Sequence, residues 1–203
     1  FGIFSGTMSM NEVVEAVNSG FGNTIGYIGI VILAGSIIGK FLEMSGGALK
    51  LATGALKLIG EKNIPFAMSI VGYTISIPVF CDSAFIVLSP LSKALSRKTK
   101  ISYAVMAMAL SLGLYVTHSL IPPTPGPVAA AGILGADLGL VLILGLPVSI
   151  VGLIIGWLFA IKIASKYKIE QNSLSKEPEL NIENKEGPSL LKSLLPIFVP
   201  ILL

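Results

Sequence analysis

Two ionisable residues stand inside long apolar stretches, and they are where this sequence could do chemistry. Asp82 follows Ile77-Pro78 and is the one acid in 63–92, while His118, the only histidine, lies four residues before Pro122. A charged acid at membrane depth costs ~2.5–3.5 kcal/mol on the insertion scale, so such a residue marks a function by default. Asp82 as a proton carrier fits an anion symporter: an arriving carboxylate is more easily held beside a protonated Asp82, because like charges resist sharing a site. The plainer alternative is that Asp82 or Ser83 caps the helix that follows the proline. His118 reads either as a packing residue or as a hydrogen-bond donor to substrate and second proton site. The hydroxyls of Thr117, Ser119 and Thr124 are close by in sequence, and their alternative is to bond back to their own helix.

Other chemistry is thinly supported. Cys81, Asp82 and His118 could be arranged as nucleophile, base and orienter, which would make a membrane-embedded hydrolase. A cysteine in an apolar hairpin is more usually a small hydrophobe, so that reading stays a distant alternative and no enzyme is expected. The lone Cys81 excludes a disulfide framework and a cysteine-built zinc site. Gly35-Ser36-Ile37-Ile38-Gly39-Lys40-Phe41 has the wrong spacing for a phosphate loop and Phe after its Lys. No cofactor or metal is expected; the coupling ion is a proton, with sodium as the alternative.

The elements that must position these residues are membrane helices. The chain has 203 residues, 53% hydrophobic and only 12% charged, with a mean hydropathy of +0.86, whereas a soluble domain carries about 25% charged residues. Of the charged residues, 11 fall between Lys162 and Lys192. This composition describes an all-α polytopic membrane protein, its partners the lipid bilayer and a small anion rather than nucleic acid, with a homodimer left open. The chain starts at Phe1 and stops at Leu203 inside an apolar run, which is expected of a fragment.

About 20 apolar residues cross a bilayer as a helix, and charge-free runs predict where. A membrane domain over 1–161 would hold a span at 16–39, a short interfacial helix in 40–62, a segment at 63–92 broken near Pro78, a broken helix at 101–136 and a span at 138–161. A charged cytoplasmic linker at 162–192 and the start of a further span at 193–203 would follow. Segment 63–92 has two readings. As one span it puts the lysines of 40–62 and those of 93–100 on opposite sides; as a re-entrant hairpin it puts both on one. The hairpin leaves all 14 Lys and Arg on one face and Glu12, Glu15 and Asp137 on the other, which the positive-inside bias favours.

Pro122, Pro123, Pro125 and Pro127 cannot continue a helix, so 101–136 reads as a helix, an unwound stretch and a shorter helix starting near Pro127. The stretch lies either at membrane depth or in an external loop. Two breaks, each beside an ionisable residue, suggest a lined cavity, because irregular backbone at depth is tolerated only where protein or water satisfies it. Gly22 and Gly26, Gly35 and Gly39, and Gly152 and Gly156 have helix-packing spacing and are expected at close helix contacts.

The strings Ile77-Pro78-Val79-Phe80-Cys81-Asp82-Ser83, Val116-Thr117-His118-Ser119-Leu120-Ile121-Pro122-Pro123-Thr124-Pro125-Gly126-Pro127 and Ala131-Gly132-Ile133-Leu134-Gly135-Ala136-Asp137 resemble those of the gluconate permease family over about 22–161. The resemblance implies proton-linked uptake of gluconate or a related sugar or hydroxy acid at the bacterial cytoplasmic membrane, with some relatives taking D-serine. It also implies a chain about twice this length, one half of an inverted repeat, with re-entrant hairpins and unwound helices. Asp82 is then expected to couple protons, and Ser83, His118, Thr124 and the backbone of Pro122, Pro123, Pro125, Gly126 and Pro127 to line the substrate site. Thr124 stands where the family commonly has His, a departure that bears on specificity or coupling. Sodium-coupled carboxylate or D-amino-acid transport remains the nearest alternative; a channel is a further one.

Overall fold

In a chain with so few charges the backbone must satisfy its own hydrogen bonds, and helices do this within one segment. The computed structural model describes residues 2–59, 63–167, 188–189, 192–193 and 195, and among them there are helices and no strand. Seven α-helices follow in order: α1 (Met10–Met44), α2 (Gly47–Ile59), α3 (Ile64–Ile75), α4 (Cys81–Thr99), α5 (Tyr103–Leu120), α6 (Pro125–Leu134) and α7 (Leu138–Lys162), with a 3-10 turn at Ala164–Lys166. Most of the expected linker at 162–192 and of the further span at 193–203 lies outside the described residues.

Three boundaries differ from the sequence expectation. The first helix is not confined to 16–39: it begins at Met10 and runs past Lys40 to Met44, since charged side chains at helix ends extend outward without breaking the backbone ladder. Its start is fixed by a reciprocal cap, Ser9 N–H donating to Glu12 Oε2 at 2.7 Å and Glu12 N–H to Ser9 Oγ at 3.4 Å. That bond favours the ionised acid and holds the Glu12 carboxyl below its usual range, so the cap's contribution is complete above the usual range and is lost as pH falls through the lowered value beneath it. The segment expected as an interfacial helix is α2, but protein covers its apolar face. Ala48, Leu49, Leu51 and Ala52 are buried beside Met68 and Leu88 of α3 and α4, while Lys50 and Lys57 stay exposed. The third difference is that α6 starts at Pro125, two residues before expectation. The first-turn N–H groups have no acceptor inside a helix, so Pro125 and Pro127 remove donors that the ladder does not use.

Cross-helix contacts give the helix directions. Phe66 packs against Trp157 with its ring tilted 60° to the indole, and the Tyr73 hydroxyl meets Ser149 Oγ at 2.7 Å, so α3 and α7 are antiparallel. Gly145, Gly152 and Gly156 of α7 face Leu120, Val116 and Leu112 of α5 in reverse order, so these two are also antiparallel. Hence α3 and α5 run parallel. Between them α4 runs back: its first residues meet the end of α5, where Phe80 stands edge-on to His118 at 5.8 Å, and its end connects to the start of α5. Ser96 Oγ donates to the Ile101 carbonyl at 2.6 Å and Ser102 Oγ to that of Tyr167 at 3.0 Å. The pair α3–α4 is therefore a helical hairpin. It gathers the start of α3, the end of α4 and the end of α7 at one end of the bundle, with Lys98, Lys100, Lys162 and Lys166.

The arms of the hairpin are unequal, because α4 continues through Pro90 to Thr99. Proline there cannot donate to the Ile86 carbonyl, and the Ser89 hydroxyl donates to it at 3.3 Å. The core lies between α2, α3, α4 and α5, with Met68, Ile75, Leu88, Leu91, Met106, Leu110 and Leu114 fully buried. Two stretches, Tyr103–Leu134 and Leu138–Lys166, are long and apolar enough to cross a membrane, with a third if the end of α1 and α2 are taken as one bent span. The closest helix contact joins α3 to α5: a Cβ on Gly113 would overlap the Ser69 carbonyl oxygen, and one on Gly72 would come within 2.5 Å of the Leu110 carbonyl oxygen. Of the glycines singled out by spacing, Gly39, Gly152 and Gly156 do meet neighbours, whereas Gly22 and Gly26 face open space.

Candidate functional site

Two helix breaks form the centre of the candidate site. The first, 76–80, ends α3 at Ser76 and starts α4 after Phe80. The second, 121–124, ends α5 at Ile121 and starts α6 after Thr124. Both lie at one level of the bundle. Tyr73, near the end of α3, bonds to Ser149, and Gly145 of α7 lies under the Leu120 carbonyl. Gly145 is ~10 Å along α7 from its Leu138 end at about 1.5 Å per residue, so the proline stretch is set well inside the bundle and not at its edge. α1 reaches the same level: a Cβ on Gly39 would stand 3.3 Å from the Pro78 carbonyl oxygen.

Each anticipated residue has a definite place. Asp82 and Ser83 are exposed in the first turn of α4. The Cys81 thiol donates to Asp82 Oδ1 at 3.7 Å, which engages the sulfur as a weak hydrogen-bond donor. His118 sits in the last turn of α5, half-buried against Phe80, with Nδ1 enclosed and without a hydrogen-bond partner among the described residues. The contact of His118 with Phe80 sets it beside the first break, and Asp82 follows Phe80 by two residues.

Thr124 is placed differently from expectation. Its side chain is buried and its hydroxyl donates to the Ile121 carbonyl at 2.6 Å, so it satisfies the second break from within. Pro122 is buried and Pro123 partly so; Pro125, Gly126 and Pro127 form the first turn of α6, with Gly126 exposed. Because its neighbours are prolines, Gly126 is the only one of these three with an N–H to offer. The helices α4 and α6 both begin at this level, and the partial positive charge of a helix start favours an anion.

Three residues that hold the breaks in place carry no motif of their own. Thr117 Oγ1 donates to the Tyr73 carbonyl at 2.8 Å and approaches the Gly113 carbonyl at 3.4 Å. The Tyr73 ring spans the gap to Ser149, which in turn donates to the Leu146 carbonyl at 2.7 Å. Thr117 had been one hydroxyl among several; Tyr73 and Ser149 gave only the faint signal of single polar residues in apolar helices. Thr117→Val is expected to destabilise the full-length protein by ~1–3 kcal/mol, the cost of stranding a buried carbonyl, with Thr117→Ser largely restoring it. Thermal unfolding in detergent measures this, and a Thr117→Val protein as stable as wild type would refute the tether. Among the described residues no group of three or more His, Cys, Asp or Glu side chains could hold a metal ion.

Comparison with known proteins gives the context. The family described as GntP family permease matches residues 1–203. A protein described as an uncharacterized permease of Haemophilus influenzae is 42% identical over 207 residues, covering 98% of this chain and 42% of its own length. The gluconate permeases of Pseudomonas aeruginosa and Bacillus subtilis are 32% and 33% identical and cover 99% and 95% of the chain, which spans 46% and 45% of theirs. The chain therefore spans less than half the length of these relatives. No solved structure matches it.

Proposed function

Because the chain belongs to the GntP permease family, we propose that it supplies about half of a secondary transporter that carries gluconate, or a related sugar or hydroxy acid, into the cell with protons. The single observation that carries this reading is the presence of two helix breaks at one level of the bundle, with His118 of α5 against Phe80, two residues before Asp82. Broken helices whose starts point at a common space are how secondary transporters hold anions. In the proposed topology 93–100 and 162–192 face the cytoplasm and the hairpin α3–α4 enters the membrane from that side; the expected place of 40–62 on that face does not fit the contact of Gly39 with the Pro78 turn, which sets the start of 40–62 at the level of the hairpin tip. Glu12, Glu15 and Asp137 face outward.

The roles follow from the chemistry of each group. The starts of α4 and α6 attract the substrate carboxylate, with the N–H groups of Asp82, Ser83 and Gly126 as donors and the Ser83 hydroxyl beside them. His118 serves as a hydrogen-bond donor to the substrate or as a second proton site. Asp82 takes the proton that offsets the charge of the anion. Cycling between outward- and inward-facing states then lets a pH gradient accumulate a monovalent acid without moving net charge.

Uptake of labelled gluconate by proteoliposomes holding the full-length protein tests this. With an imposed inward-acid gradient, accumulation above equilibrium is expected, lost on adding a protonophore and unchanged when sodium is replaced at fixed pH. Dependence on sodium would overturn proton coupling. Failure to take up gluconate or any competing sugar or hydroxy acid would overturn the substrate reading, and Thr124 would become the first place to look for a different cargo.

A further inference from the structure

The outward-facing surfaces of α7 and α4 differ in kind. α7 turns Leu140, Ile143, Val148, Val151 and Ile155 outward, and its only hydroxyl residue, Ser149, is fully buried. In α4 the reverse holds: Asp82 and Arg97 are exposed, Ser89 and Lys93 partly so. With Ile86 they recur every three or four residues, which is one face of a helix. The opposite face, with Ala84, Leu88, Leu91, Ser92 and Ser96, is buried in the core.

A second feature lies on the same outward face. Pro90 deprives the Ile86 carbonyl of its helical donor, and the Ser89 hydroxyl serves it at 3.3 Å. Lipid offers nothing to a carbonyl freed in this way, so such backbone belongs where water or protein reaches it. The stripe also has a polarity. Its two cations sit towards the end that the proposed topology places in the cytoplasm, and Arg97 is ~22 Å from Asp82 along the helix axis at about 1.5 Å per residue.

We propose that this face of α4 lines the cytoplasmic half of the substrate's path, water-filled, with Lys93 and Arg97 drawing the anion at the mouth, Ser89 midway and Asp82 at the inner end. The proposal rests on the transport reading for its substrate, and on exposure and spacing for its course. An anion suits the stripe because two cations concentrate it at the mouth, and the planar guanidinium of Arg97 matches a carboxylate.

The test places cysteines in full-length protein carrying Cys81→Ala. A membrane-impermeant anionic thiol reagent is added to inside-out and right-side-out vesicles carrying Ser89→Cys, or Ser92→Cys as the buried control. Thiols react as thiolates and need water to ionise, so Ser89→Cys is expected to react from the cytoplasmic face about tenfold or more faster than Ser92→Cys. Saturating gluconate is expected to slow it. No reaction at Ser89→Cys from the cytoplasmic face, or reaction equal to that at Ser92→Cys, would overturn the path and show that lipid or the remainder of the protein covers the stripe. If wild type takes up no gluconate or competing acid while Ser89→Cys still reacts, the transport reading fails and the water-lined face stands.

Discussion

Replacing Asp82 with asparagine in the full-length protein is expected to lower pH-driven gluconate accumulation by about 5–150-fold, the range that a coupling free energy of ~1–3 kcal/mol gives. Exchange of external labelled for internal unlabelled substrate is expected to continue. The reason for choosing asparagine is its chemistry. It keeps the shape of Asp82 in the first turn of α4, where the N-cap is Phe80 and no side chain caps the helix. It cannot take up or release a proton. Full gradient-driven accumulation by Asp82→Asn would therefore refute its part in coupling. Loss of exchange together with accumulation would mean that the variant has lost substrate binding, which would also refute a coupling-only role.

The second large effect is structural. Gly113→Ala is expected to cost ~3 kcal/mol or more, at the upper end of what overpacking does, because the added methyl would overlap the Ser69 carbonyl oxygen of α3. That obstacle is backbone and cannot rotate aside, so α3 must separate from α5 along the line where Thr117 holds the Tyr73 carbonyl. Gly22→Ala is the control of opposite sign. Nothing lies within 4 Å of its would-be Cβ, so alanine there gains the ~0.5–1 kcal/mol of helix propensity that glycine forgoes. Thermal unfolding in detergent reads both. Equal stability of Gly113→Ala and wild type would mean that α3 and α5 are not packed as described.

Much of the fold was legible because the membrane imposes it. Charge-free length gave α7 and the α5–α6 pair, Pro78 and Pro122 gave the two breaks, and the placement of lysines gave the hairpin direction of α3 and α4. Length alone did not give the ends of α1, since a charge such as Glu15 or Lys40 marks where a side chain seeks water and not where hydrogen bonding stops. Glycine spacing pointed to Gly22 and Gly26, which face open space, and passed over Gly72 and Gly113, whose closeness depends on two helices meeting. Of the candidate site, the place of Asp82 and His118 beside helix breaks was readable from the prolines near them. The inward turn of the Thr124 hydroxyl was not, because one rotamer decides whether a threonine lines a cavity or caps its own backbone.

The contact between α1 and the hairpin tip ties the site to the bilayer itself. α1 has 35 residues and is ~52 Å long, against ~30 Å of hydrocarbon. A helix too long for its membrane leans or thickens the lipid around it. Gly39 lies near the end of α1, against the Pro78 carbonyl and the Val79 backbone. A change in lean at α1 therefore bears directly on the turn that presents Asp82, and on the proposed transport reading acyl-chain length is a variable to which uptake is expected to respond.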